Sequence, residues 1–180
     1  MRGVVGGGGL GRVLVSCSFV GYLAGGLDRS VGAEGDYVST TPPSPPGLED
    51  RIPDLKRARQ GARERLADPQ CLAVLTDFES VNGGRLDLVL RASGRTAQEQ
   101  LDLLVLESGL GRPLCDRRVS LAFTQVHSRV VSICLRSFTL LRRQEQQAVL
   151  IHEMLHSLGL GENPPESTAI TEQVLKRCAH

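Results

Sequence analysis

Apolar residues recur with helical spacing most densely over residues 140–158. At about 100° per residue, Ala148, Leu150, Ile151, Met154, Leu155 and Leu158 sweep more than half of a helix's circumference. The remaining arc holds His152, Glu153, His156 and Ser157, with Val149 as its one apolar member. Core packing alone does not account for a largely buried helix whose polar arc is two histidines and a glutamate. Gly159 predicts the helix end, at a left-handed position after the last turn. Pro164-Pro165 then bars any continuation.

Earlier periodicities are shorter. Pro53 suits a first helical turn, and residues 55–67, rich in Arg, Ala, Gln and Glu, predict an amphipathic helix. Its arginines are interleaved with acids and read as a solvated face. Residues 70–78 are a buried element whose short apolar run does not separate helix from strand. Asn82-Gly83-Gly84 predicts a turn. The alternation over residues 85–90 predicts a strand. Thr96 with Glu99 three residues on forms a capping box for a short helix, and residues 103–107 read as a strand. Two β-rich runs, 119–124 and 129–135, flank Gln125-Val126-His127-Ser128 as a hairpin. Glu166-Ser167-Thr168 caps a final helix over 169–178, with Ile170, Val174 and Leu175 turned inward. No internal repeat is present.

The N-terminal third has a different texture. Arg2 and Arg12 precede an apolar run over 13–27, and Val31-Gly32-Ala33 offers a small-x-small cleavage site. Residues 1–33 therefore read as an export signal, too short and glycine-rich for a membrane span. Leu14-Val15-Ser16-Cys17 also has the form of a lipobox, the minor alternative, which would make Cys17 a lipid anchor. Residues 34–50, carrying Pro42-Pro43-Ser44-Pro45-Pro46, read as an extended linker. One domain is expected over 51–180.

Composition narrows the function classes. The 180 residues carry a formal net charge of +1, too little field to point to nucleic acid or an anionic membrane. Trp is absent and aromatics are 3%, which argues against a stacking platform for single strands. Lys56 and Lys176 are the only lysines among 21 basic residues, a habit of GC-rich bacterial coding. Cysteines stand at 17, 71, 115, 134 and 178, none in C-x-x-C spacing. Past a cleaved signal an even set remains, suited to two disulfides in an oxidising compartment. Three pairings are open, of which Cys115 with Cys134 and Cys71 with Cys178 is favoured; four reduced, buried thiols are the cytosolic alternative.

The polar arc of the long helix spells His152-Glu153-Met154-Leu155-His156, an H-E-x-x-H. Positions i and i+4 share a face, so both imidazoles can reach one metal ion. Glu153, one residue further round, is placed to take a proton from metal-bound water. On these residues the sequence resembles the zincin metallopeptidases. Through Gly159 to Glu162 it reads H-E-x-x-H-x-x-G-x-x-E, most similar to the metzincin branch, where the third ligand, usually His or Asp, falls at the place of Glu162. It departs from that branch in the glutamate itself and in having no Met-turn, since Met1 and Met154 are the only methionines. The chain as a whole also resembles small exported bacterial proteins described as metallopeptidases.

The resemblance implies an α+β zincin-like fold: a small mixed sheet with an edge strand over an active-site helix, followed by a C-terminal helix. It implies one catalytic Zn2+ held by His152, His156 and a carboxylate, with Glu153 as general base and a peptide or protein as substrate. Glu162 is the first choice for that carboxylate. Glu172, or less readily Glu166, is its rival in the manner of gluzincins. The hairpin preceding the motif helix, with 129–135 leading into it, is the expected substrate rim, read by strand addition. His127 and Arg142 are weak candidates for a second oxyanion stabiliser. The expected protein is an exported zinc endopeptidase, secreted or in the bacterial periplasm or cell envelope, and monomeric. The alternatives are a zincin-fold protein that binds metal or a partner without cleaving, and an exported disulfide-stapled domain with a fortuitous motif.

Overall fold

The computed structural model describes residues 47–117 and 120–178. The expected signal at 1–33 and the proline-rich part of the linker lie outside the described residues.

The described chain is α+β. Its elements, in order, are α1 (Leu48–Arg51), α2 (Pro53–Arg65), α3 (Pro69–Leu72) running into a 3-10 turn (Ala73–Thr76), α4 (Leu86–Ala92), α5 (Ala97–Asp102), β1 (Val105–Ser108), α6 (Pro113–Asp116), β2 (Ala122–Thr124), β3 (Val130–Ile133), α7 (Leu135–Phe138), α8 (Arg143–Ser157) and α9 (Ser167–Cys178). No helix among the described residues is long and apolar enough to cross a membrane.

The long helix α8 is the centre of the core. From Gln146 to Ser157 every residue is buried. On one side it packs against α2, where Leu55, Ala58 and Ala62 are buried. Gly61 leaves room for the Gln147 side chain at this contact: a Cβ there would lie 2.0 Å from Gln147 Nε2. On another side it packs against α9, whose Ile170 and Val174 are buried as expected. β2 closes a third side.

The sheet is small and mixed, in the order β1-β3-β2. β1 pairs parallel to β3, Val105 opposite Val130, and β2 pairs antiparallel to β3, Ala122 opposite Ile133. The hairpin is therefore present, but its strands exchange the roles expected of them. The 129–135 run supplies the central strand, with both edges paired, so the hairpin's edge strand is β2. Nor does that run lead directly into the motif helix. Its last residue, Leu135, begins α7, and α8 starts at Arg143 where residue 140 was expected.

Two other expectations are corrected. Residues 85–90 are not a strand but the start of α4. Leu86 and Leu90, at helical i, i+4 spacing, are 0% and 5% exposed, whereas Leu88 between them is 50% exposed. Burial therefore follows the 3.6 period, and Asp87 reinforces it by accepting from Arg85 (2.9 Å) and Arg91 (2.6 Å). The linker also ends sooner than residue 50. Residues 48–50 belong to α1, whose start is tied by Gly47 N–H donating to Asp50 Oδ2 at 2.9 Å.

The remaining elements agree with their local signals. The 70–78 segment is helical as far as Thr76. Thr96 caps α5, accepting from Glu99 N–H at 3.2 Å while Glu99 Oε2 accepts from Thr96 N–H at 2.8 Å. Disulfides join Cys71 to Cys178 and Cys115 to Cys134, the favoured pairing. The first ties α3 to the end of α9; the second ties α6 to the residue after β3.

Candidate metal centre

The site begins with how α8 ends. Leu158 is its C-cap and Gly159 follows at φ +106°. Gly159 N–H donates to His156 O (2.9 Å) and Leu160 N–H to Leu155 O (3.1 Å), the paired bonds of a Schellman motif. Glycine is required here twice over. The φ is one that L side chains rarely adopt, and a Cβ would lie 2.5 Å from His127 Cε1. The turned-back strand is then pinned by the Ser80–Gly84 loop. Val81 N–H donates to Gly159 O at 2.8 Å, and Ser80 bridges to Leu160. This delivers Glu162 to the histidines.

His152 and His156 are almost fully buried and their Nε2 atoms lie 2.8 Å apart. Glu162 Oε1 lies 3.6 Å from His152 Nε2 and 3.3 Å from His156 Nε2. The outer face of each ring is already committed. His156 Nδ1–H donates to the Leu160 carbonyl at 2.8 Å. His152 Nδ1–H donates to Thr171 Oγ1 at 2.9 Å, because that hydroxyl gives its own hydrogen to Ser167 O. With both Nδ1 atoms carrying the proton, each neutral imidazole turns a bare Nε2 lone pair inward. Three acceptors therefore converge on one point, where their mutual repulsion calls for a cation. Burial, and after it the charge of His156, lowers the His152 pKa to about 4. Protonation of that ring at neutral pH does not relieve the repulsion. Among the described residues, His152, His156 and Glu162 are the group that could hold a metal ion.

Glu153 stands beside this group, also buried. Its Oε2 is sealed from solvent with no hydrogen-bond partner, an unusual state for a carboxylate oxygen. Burial, with a smaller contribution from Glu162, raises its pKa to about 8. A cation held by the neighbouring acceptors would favour the ionised form of this carboxyl.

In front of Glu153 lies a cleft of about 610 Å³. Ala122, Phe123 and Thr124 of the edge strand β2 line one wall; Glu153, His156 and Glu162 line another. Of the two hairpin strands, β2 is the one that borders this cleft.

The other sequence candidates fall elsewhere. Glu172 and Glu166 are exposed and outside the ligand group. Arg142 caps the far end of α8, where it pairs with Glu145 at 2.7 Å. His127 Nε2 contacts Asn82 Nδ2 at 3.2 Å, and its backbone N–H donates to His156 O at 2.9 Å. His127 thus buttresses the end of α8. Sequence reading missed Thr171, Leu160 and the Ser80–Val81 segment, all of which orient the ligands. No spacing rule connects position 171 to 152 or position 80 to 160. The Asn82-Gly83-Gly84 turn was visible, but not what it would touch. Compared with known proteins, the chain matches no family model, no curated protein and no solved structure.

Proposed function

We propose that this protein is an exported zinc-dependent peptidase. The observation that carries the proposal is the convergence of His152 Nε2, His156 Nε2 and Glu162 Oε1, with both Nδ1 atoms engaged behind them. Two imidazoles and one carboxylate, with a coordination position left for water or substrate, are the donor set of catalytic zinc. The unpartnered Glu153 Oε2 beside them fits the same group. Bound zinc supplies Lewis acidity, which lowers the pKa of water and polarises a carbonyl.

The chain's own residues do the rest. His152 and His156, oriented by Thr171 and Leu160, hold the ion, and Glu162 completes the set. The Glu153 carboxylate takes a proton from the attacking water and delivers it to the leaving amine nitrogen. The outer edge of β2, which pairs with no strand among the described residues, binds the substrate backbone as an added strand, so recognition reads peptide geometry before side chains. Export rests on residues 1–33 and on the two disulfides, which suit an oxidising compartment.

Two measurements test this. Purified protein should hold stoichiometric zinc by elemental analysis. Casein hydrolysis should fall by about 10²- to 10⁴-fold in Glu153→Gln, with zinc content unchanged. A protein without zinc would sink the metal reading. A zinc protein that leaves casein and a broad peptide library uncut would instead be a non-cleaving binder.

A further inference from the structure

Glu172, a rival for the metal, lines a second cavity. This cavity opens beside Glu153, between the approach to β2 and the first turns of α9, and measures about 330 Å³. That is the size of a small-ligand pocket. It adjoins the β2 cleft, sharing Ser120, Ala122, Glu153 and Ser167 with it. A chain laid along β2 therefore passes its mouth.

The lining is divided by chemistry. Leu121 and Val149 supply apolar wall, while Ser167, Thr168 and Glu172 supply hydroxyls and a carboxylate. Among the described residues the Glu172 carboxylate has neither a hydrogen bond nor an ion pair, and the Ser167 and Thr168 hydroxyls are also without bonded partners. Apolar wall with an unpaired carboxylate beside it suits a group with an aliphatic stem and a positive head.

We propose that this cavity seats a positively charged group of the substrate peptide, held by the Glu172 carboxylate. The inference rests on the peptidase reading, which brings a peptide along β2. The group is an ammonium or a guanidinium, supplied by a basic side chain or by a free amino terminus.

Binding, measured apart from cleavage, tests it. Zinc-loaded Glu153→Gln is titrated with fluorescent peptides that differ only in lysine, arginine or norleucine at one position, each with a free or acetylated amino terminus. The charged peptides should bind about tenfold more tightly, the strength of a charge-assisted bond. Adding Glu172→Gln should abolish that preference, and Glu172→Lys should reverse it. Preference that survives acetylation identifies a side chain; preference lost on acetylation identifies the amino terminus. Zinc affinity in Glu172→Gln should equal that of the unsubstituted protein; a fall would make Glu172 a ligand and overturn the proposal. So would an unchanged preference in Glu172→Gln, or no binding at all. Peptides bound with the preference yet left uncut by the unsubstituted protein would sink the peptidase reading and leave this subsite standing. Peptides cut without regard to charge would do the opposite.

Discussion

One side of α8 lies against α2 and α9, and the other opens onto the cleft. On the packed side, Ala58, Ala62, Ile170 and Val174 are fully buried. The Cys71–Cys178 bridge closes that side covalently. Arg177 adds two bonds to Asp77, at 2.8 and 2.7 Å, and Gln173 a third at 2.6 Å. On the cleft side the two histidines are also buried, but each ring is held from behind by one hydrogen bond at Nδ1. Their carboxylate partner, Glu162, is 42% exposed and sits on a loop. The covalent and polar ties are concentrated on one side and the candidate metal group on the other. The difference shows how a helix can carry buried, mutually repelling acceptors: the packed side over-determines its position, so the cleft side does not have to be self-stabilising.

If that division is right, substitutions on the two sides should separate stability from metal binding. The largest effect on stability should come from removing Cys71–Cys178 with paired alanines. The bridge spans 107 residues, against 19 for Cys115–Cys134, and loop-closure entropy puts the losses at about 4.7 and about 3 kcal/mol. Denaturant unfolding of the two double variants checks the order. Equal losses would show that the packed side is not specially dependent on its bridge.

Next comes the loop carboxylate. Glu162→Ala should weaken zinc binding by more than about 100-fold, beyond the range for outer-shell partners, with little change in the melting temperature of the metal-free protein. Glu172→Ala should leave zinc affinity unchanged. Competition titration with a chelating dye reads both. The opposite ranking would transfer the third ligand to α9.

Thr171 links the two sides, since it belongs to α9 and orients His152. Thr171→Val keeps the shape and removes the acceptor, and should cost about 10- to 100-fold in zinc affinity. Thr171→Ser should restore it. Cobalt substitution gives a spectrum sensitive to ligand geometry, which a purely structural role for Thr171 would leave unaltered.

The smallest effect is one of pH. The Arg177 hydrogen bond, opposed by burial and helped by Gln173, holds the Asp77 carboxyl below its ordinary pKa. A carboxyl whose folded pKa is depressed contributes stability above its unfolded value, about 3.9, and loses it as pH falls through the folded value. Asp77→Asn should therefore flatten the acid limb of the stability curve below about pH 4. The change at pH 7 should be about 1 kcal/mol or less, as for a partly exposed pair. Thermal melts across pH 2–7 would show it; parallel curves would place the acid sensitivity elsewhere.

Much of the site was legible before folding was considered. The helical repeat, the two histidines four apart and the glycine after the last turn are all local, and α8 and its Schellman end follow from them. The Thr96–Glu99 box was legible for the same reason. The strand expected at 85–90 failed because L-D-L-V-L satisfies both periods over so short a run. Only the burial of Leu86 and Leu90, with Leu88 outside, chose the helix. The β2–β3 hairpin was visible as two runs and a turn. Which strand would be the edge was not, because that depends on β1 arriving in parallel from 25 positions earlier in register, Val105 opposite Val130.

The sequence by itself determined the helix that carries the two histidines, where it stops, and which residue types could bind a metal. Those properties rest on backbone propensity and side-chain spacing within a few turns. Only the tertiary structure decided that Glu162 and not Glu172 meets the histidines, that Thr171 and Leu160 hold their Nδ1 protons, and that β2 borders the cleft. Each of those depends on two segments distant in sequence being packed to within hydrogen-bonding distance. Periodicity carries no information about that, because it describes one element's faces and not which neighbour each face will meet.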